Sequence, residues 1–238
     1  MGKTTVIALI EPRSGTRRLD VALELYRLCE DVLHRDPLLI DMDPQCHLSQ
    51  RLLKPEQMKT CTRKEETSGA WIHDFLSQTP TQRPIVWWNQ DENVSFLPGW
   101  IYAERSFMDI LHFTARNGFA PSPVEHLREW LEAFKQDTII LQMASGWHPM
   151  TRLGVAAADS TLAFLHADAL GASEQRRIHT RFATMQSSAS LSADLETLHF
   201  LWETPTAGPS PGSRHGYPLP DSFSKRQGLL ANLLIQTL

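Results

Sequence analysis

Two aspartates follow a short apolar run in the first fifth of the chain. The apolar residues at 38–40 predict a buried strand, which is followed directly by Asp41, Met42, Asp43 and Pro44. Two carboxylates at the end of a parallel strand are candidate residues of a functional site, because ligands bind at this end of open α/β sheets. They are also typical of an ordinary strand-end turn, where they help to cap a following helix, here predicted to begin near His47 or Leu48. The residues alone leave both interpretations open.

The elements around these aspartates form a recognisable unit. Residues 5–10 are a β-branched apolar run typical of a buried strand, and Pro12, Ser14 and Gly15 interrupt it. Apolar residues at helical spacing over 19–29 predict a helix before the strand at 38–40. A strand, a glycine turn, a helix and a second strand make a βαβ unit, which implies a parallel sheet.

Similar alternation continues along most of the chain. Further strands are predicted at 84–88, 94–97, 138–141, 161–165 and 198–202. Helices are predicted at 70–76, 125–134 and 173–187, and residues 154–158 resemble the small-residue part of another. Residues 205–220 hold five prolines and three glycines and are predicted to be a surface loop, not a strand. We therefore expect a single α/β domain over 1–238, with a doubly wound, mostly parallel sheet flanked by helices.

Composition excludes several classes of protein. The chain has 238 residues and a net charge of −4, which argues against a protein that binds duplex nucleic acid through a broad basic surface. Cys29, Cys46 and Cys61 are too few for a disulfide framework, and no apolar run is long enough to span a membrane. The ten histidines show no spacing typical of a metal site. We expect a reduced, cytoplasmic protein that holds no metal.

Several segments, in order, resemble the ParA/MinD-like ATPases. The most specific is Leu38-Leu39-Ile40-Asp41-Met42-Asp43-Pro44-Gln45, which is similar to the LLIDxDPQ segment of that family. Residues 136–142, 155–160 and 93–110 are similar to the family's YDxIIID, ALxAADxVLIPV and NLxLIPSS segments. The resemblance covers residues 5–200 or so and implies a P-loop NTPase fold.

The phosphate loop departs from the family's KGGxGKTT pattern. The aligned residues are Glu11, Pro12, Arg13, Ser14, Gly15, Thr16, Arg17 and Arg18. Glu11 stands in place of the signature lysine, Thr16 in place of the phosphate lysine and Arg17 in place of the threonine that binds Mg²⁺. Pro12 removes a backbone donor, Arg13 obstructs close backbone approach, and only Gly15 is retained. In the later strand Gln142 replaces the aspartate on the metal side.

These losses predict a pseudo-ATPase, because phosphoryl transfer depends on positioning and charge stabilisation. Asp41 and Asp43 would then be vestigial. We expect no cofactor, although Arg13, Arg17 and Arg18 can hold the phosphates of ATP or ADP in an altered pose. The alternative for these arginines is an exposed basic turn. The alternative for the protein is a divergent ATPase with slow, dimer-dependent hydrolysis that uses Asp43 to position water.

The resemblance also implies partners. Relatives of this type dimerise through the nucleotide face and act in positioning or assembly, so a homodimer, or a heterodimer with a family paralogue or a secretion-complex subunit, is expected. Gly15-Thr16 is similar to some MinD-like proteins of bacterial cellulose operons (BcsQ type), which suggests a scaffold in cellulose or exopolysaccharide secretion. Residues 222–238 are predicted to form a packed final helix; the alternative is a helix that binds a membrane surface.

Overall fold

A computed structural model of the chain describes residues 4–11, 18–61, 66–77, 86–100, 122–165, 169–187, 198–203 and 216–219. The strands are β1 (Thr5–Glu11), β2 (Pro37–Asp41), β3 (Trp87–Asn89), β4 (Val94–Leu97), β5 (Thr138–Ser145), β6 (Ser160–Leu165), β7 (Leu198–Glu203) and β8 (Gly216–Leu219). The helices are α1 (Arg18–Arg27) with a π-helical turn (Leu28–Val32), α2 (His47–Leu52), α3 (Pro55–Thr60), α4 (Ala70–Ser77), α5 (Pro123–Glu132), α6 (Pro149–Ala157) and α7 (Ala169–Ser187).

The described strands form one eight-stranded sheet in the order β3-β4-β2-β5-β1-β6-β7-β8. β1 pairs in parallel with β5 on one side and β6 on the other, and β2 pairs in parallel with β4 and β5. Only the pairing of β3 with β4 is antiparallel among the described strands. The predicted doubly wound, mostly parallel sheet is therefore confirmed.

Helices cover both faces of this sheet, and the side chains of β1 alternate between them. Val6, Ala8 and Ile10 pack in a core with residues of α4, α5, α6 and α7. Ile7 and Leu9 point the other way and pack with residues of α1 and α2. Because the strand is buried on both faces, every position from 6 to 10 is apolar, which explains the continuous run in the sequence.

A partly buried arginine fixes the amino end of β1. Arg128 of α5 donates to Asp159 Oδ2 at 2.8 Å and to the Thr4 carbonyl at 3.0 Å. The same Asp159 oxygen accepts the Val6 backbone N–H at 2.8 Å. These bonds join α5, β1 and the turn before β6, and so hold the strand whose other end leads into the predicted phosphate loop.

One structural expectation is wrong. Residues 216–219, predicted to belong to a surface loop, form β8, which pairs in parallel with β7. Pro218 lies in this strand opposite Trp202. Proline is compatible with this position because β8 is at the edge of the described sheet, where a strand needs ladder donors on one side only. Residues 205–215, residue 220 and the predicted helix at 222–238 lie outside the described residues.

Several other elements are longer than predicted. The helix predicted at 173–187 begins at Ala169, and the strand predicted at 138–141 continues to Ser145. The polar segment after Lys54 contains the exposed helix α3.

β3 and β4 form a hairpin whose turn includes Asn93 at φ 56°. On β3, the Trp88 side chain is 51% exposed, whereas Trp87 packs towards the core.

None of the helices in the described ranges is long and apolar enough to cross a bilayer. Cys29, Cys46 and Cys61 are buried and free.

Candidate functional site

The sheet positions Asp41 at the carboxyl end of β2, beside β5. Asp41 is opposite Gln142, which in turn is opposite Leu9 of β1, so the three strands meet in register at this edge. The Met42 N–H donates to the Gln142 carbonyl at 2.8 Å and extends the pairing by one bond. Asp41 and Gln142 are both fully buried. The topology therefore brings together Asp41 and Gln142, the two residues that the resemblance aligns with carboxylates of the family.

The Asp41 carboxylate accepts hydrogen bonds from its own loop and from the helix that follows. Oδ1 accepts the Asp43 N–H at 3.1 Å. Oδ2 accepts the Ser49 N–H at 2.8 Å and the Ser49 hydroxyl at 2.7 Å. Ser49 lies in the first turn of α2, where backbone N–H groups have no helical partner. The predicted capping function of the aspartate pair is therefore present at Asp41.

Ser49 connects this carboxylate to β4. Its Oγ accepts the backbone N–H of Gly99, just after β4, at 2.8 Å. A Cβ at Gly99 would lie 2.9 Å from Cys46 Sγ and 3.0 Å from Asp41 Cγ, so only glycine fits this close approach without a shift. The resulting chain of bonds joins the ends of β2 and β4 to the start of α2. Sequence reasoning missed both residues: Ser49 belongs to no motif, and the segment at 93–110 that contains Gly99 predicted no role for it.

Asp43 is 2% exposed, and both of its carboxylate oxygens contact residues close to it in the chain. Its Oδ1 accepts the Gln45 N–H at 3.0 Å, which closes a tight turn, and its Oδ2 lies 2.7 Å from His47 Nδ1. Cys46, between them, is in the left-handed region at φ 54° and has no side-chain capping bond to α2. The His47 contact was not predicted. Its spacing of four residues from Asp43 at a helix start was the signal available for it.

Burial determines the protonation of Asp41. Removal from water raises the pKa of this carboxyl to about 6; the hydrogen bonds from Ser49 oppose the shift and the neighbouring Asp43 charge adds to it. Burial, followed by the Asp41 and Asp43 charges, also raises the pKa of the Cys46 thiol. Cys46 is therefore a neutral packing residue.

The predicted phosphate loop is described only at its two ends. Glu11, the last residue of β1, is 3% exposed, and its carbonyl accepts the Gly146 N–H at 2.6 Å. Arg18 begins α1. Pro12, Arg13, Ser14, Gly15, Thr16 and Arg17 lie outside the described residues, so the predictions about their contacts with phosphate stay predictions.

The described part of the site does not fit a magnesium-bound triphosphate. Such a ligand needs oxygen donors directed at the cation and positive groups beside the phosphates. Asp41 Oδ1 accepts the Asp43 N–H of its own loop and Oδ2 accepts two hydrogen bonds from Ser49 of α2. Gln142 is neutral, and Glu11 places a buried carboxylate at the end of β1. No cluster of three or more metal-ligating side chains occurs within the described ranges.

Comparison with solved structures identifies the fold. A plasmid partition protein from Borrelia burgdorferi superposes with a TM-score of 0.66 at 13% identity, covering 100% of both chains. McdA from Cyanothece matches at TM-score 0.62 and 14% identity, over 98% of this chain and 82% of that one. Cobyrinic acid a,c-diamide synthase from Mycobacterium smegmatis, with bound ADP and magnesium, matches at 0.65 and 18% over 96% and 91%. The fold is that of the ParA-like P-loop NTPases.

No protein-family model and no curated protein sequence matches the chain.

Proposed function

We propose that this chain is a ParA/MinD-like protein without ATPase chemistry, which acts as a scaffold or regulatory subunit in the assembly or positioning of a bacterial machine. The observation that carries the proposal is the direction of the Asp41 carboxylate. Its two oxygens accept three hydrogen bonds from Asp43 and Ser49, and its side chain is fully buried. A carboxylate bound in this way stabilises the loop and contributes little to a cation site.

The residues around it support the same reading. Gln142 supplies no charge at the metal side. The turn from Glu11 to Arg18 has neither lysine of an active phosphate loop, and Arg17 stands where the resemblance expects the threonine that binds Mg²⁺. Glu11 adds a negative charge where a triphosphate needs a positive one. The geometry therefore favours the use of the fold as a binding surface.

The partner follows from the resemblance. We propose a homodimer, or a heterodimer with an active paralogue or a secretion-complex subunit, in a cellulose or exopolysaccharide system of the BcsQ type. Light scattering during size-exclusion chromatography tests self-association. A chain that stays monomeric and captures no partner from its native lysate would contradict the scaffold proposal.

Turnover assays test the loss of chemistry. Phosphate release from Mg²⁺-ATP should equal the buffer rate at every protein concentration, and Asp43→Ala should leave it unchanged. An active ParA-type ATPase serves as the positive control. A rate that rises more steeply than protein concentration, and that is lost in Asp43→Ala, would establish the divergent, dimer-dependent ATPase instead.

A further inference from the structure

A half-open cavity of about 100 Å³ lies between the end of β1, the loop after β5 and helix α7. Ile10 and Glu11 come from β1, and Gly146 and Trp147 from the loop. The α7 residues that line it are Glu174, Arg177, Ile178 and Arg181. β1 and β6 are neighbours whose following helices, α1 and α7, lie on opposite faces of the sheet. Such a switch point is where open α/β sheets bind ligands.

Two arginines stand at one side of this cavity. Arg177 and Arg181 are four residues apart on α7 and are exposed. The Arg181 guanidinium carbon lies 5.7 Å from the centre of the Trp147 ring, a cation–π contact that holds the charge at the cavity mouth. Among the described residues, no carboxylate forms an ion pair with either arginine. α7 carries three arginines and one glutamate in a chain of net charge −4.

The rest of the cavity wall restricts what can bind. Ile10 and Ile178 are nearly fully buried and, with Trp147, form an apolar wall. Glu11 and Glu174 also line the cavity, so two carboxylates balance the two arginines and the lining has no excess of positive charge for a highly charged polyphosphate or nucleic acid backbone. A peptide fits this combination better, because it can present a carboxylate to the arginines and an apolar side chain to the cavity.

We propose that the cavity and its arginine side are a docking site for an acidic segment of a partner protein, which places its carboxylates on Arg177 and Arg181 and an apolar side chain against Trp147 and Ile178. The inference extends the proposed scaffold role and rests on it for its biological meaning. It places one binding surface of the scaffold on α7, beside Glu11, where the predicted phosphate loop begins.

The probe is a fluorescein-labelled peptide of alternating Glu and Leu, with binding followed by fluorescence anisotropy. We expect saturable binding that weakens as salt increases. A peptide with Lys in place of Glu should not bind, and one with Ser in place of Leu should bind roughly tenfold more weakly, because it lacks the apolar side chain.

The charge reversal Arg177→Glu with Arg181→Glu should weaken binding by at least about tenfold. The matched control is Arg152→Glu with Arg176→Glu, which changes the net charge equally at two exposed arginines outside the cavity. Thermal melts confirm that both variants fold. If the double reversal fails to fold, Trp147→Ala provides the second variant and should also weaken the Glu-Leu peptide.

Three outcomes would overturn the docking site: no binding of the Glu-Leu peptide, an equal loss in the control, or tighter binding of a DNA duplex than of the peptide. Mg²⁺-ATP turnover measured on the same samples keeps the two proposals separate. ATP turnover would contradict the loss of ATPase chemistry, and it would leave the peptide-binding result intact. If the peptide does not bind and ATP is not turned over, only the docking site is contradicted.

Discussion

Oδ2 of Asp41 accepts two hydrogen bonds from Ser49, from the backbone N–H at 2.8 Å and from the hydroxyl at 2.7 Å. The two residues join the carboxyl end of β2 to the first turn of α2, and the Ser49 hydroxyl accepts the Gly99 N–H as well. Because these groups are buried, each bond satisfies a polar atom that water does not reach. The aspartate is thus part of the fold's hydrogen-bonding framework.

Removal of the Ser49 hydroxyl tests this framework. Ser49→Ala takes one donor from a buried carboxylate and leaves the Gly99 N–H without its acceptor. We expect a loss of about 2 kcal/mol in the free energy of unfolding, measured by urea denaturation. Thr60→Ala is the control, because the Thr60 hydroxyl is exposed and bonds only within α3. An equal effect of the two substitutions would contradict the account.

Stability should depend on pH through Asp41. Burial raises the folded-state pKa of this carboxyl from 3.8 to about 6, so the folded protein holds the proton more tightly than the unfolded chain. The stabilising contribution of the protonated form is complete below about pH 4 and is lost as pH rises through about 6. The free energy of unfolding of the wild type, taken relative to Asp41→Asn, should fall by roughly 3 kcal/mol from acid to neutral pH. Parallel pH profiles for the two proteins would refute the shifted pKa.

Gly99 should not tolerate a methyl group. In Gly99→Ala the Cβ would meet Cys46 Sγ and the Asp41 carboxyl carbon, at 2.9 and 3.0 Å, in a buried and hydrogen-bonded cluster. Overpacking there should cost about 1–3 kcal/mol of unfolding free energy.

Gly154→Ala is the comparison for this substitution, because its Cβ would meet the flexible end of the Met143 side chain, which can move. We expect a smaller loss there in the same denaturation assay. A larger loss for Gly154→Ala would show that the surroundings of Gly99, which include Asp41 and Cys46, are not packed more tightly than those of Gly154.

Arg128 should be irreplaceable by lysine. Its guanidinium donates to Asp159, to the Ala157 carbonyl and to the Thr4 carbonyl at 2.8, 3.1 and 3.0 Å, a set that one ammonium group cannot reproduce. Arg128→Lys should cost about 2 kcal/mol of unfolding free energy. Arg51→Lys, which changes an exposed arginine 3.4 Å from Asp20, should cost less than about 0.5 kcal/mol. Similar losses in the two variants would show that the Arg128 hydrogen bonds do not stabilise the fold in this way.

The sequence predicts the central sheet well because β1, β2, β5 and β6 are buried on both faces. Burial on both faces requires uninterrupted apolar runs, and such runs are visible without a structure. β8 escaped prediction because its Pro218 is typical of loops, and only its place at the sheet edge makes proline acceptable.

The site was predictable only in part. Asp41 and Asp43 are found from their position at the end of an apolar run, and Gln142 is found from the resemblance of residues 136–142 to a segment of the family. Ser49 and Gly99 act through contacts between segments 50 residues apart in the chain, which no local pattern reveals. The cavity beside α7 likewise depends on how β1, the loop after β5 and α7 pack together.

The most direct test of the central claim is a calorimetric titration of the full chain with ATP in the presence of Mg²⁺. The account predicts no saturable heat of binding, and no difference between the wild type and Asp43→Ala. Tight binding that requires Mg²⁺ and is lost in Asp43→Ala would contradict it, because the carboxylates at the ends of the strands would then serve a nucleotide.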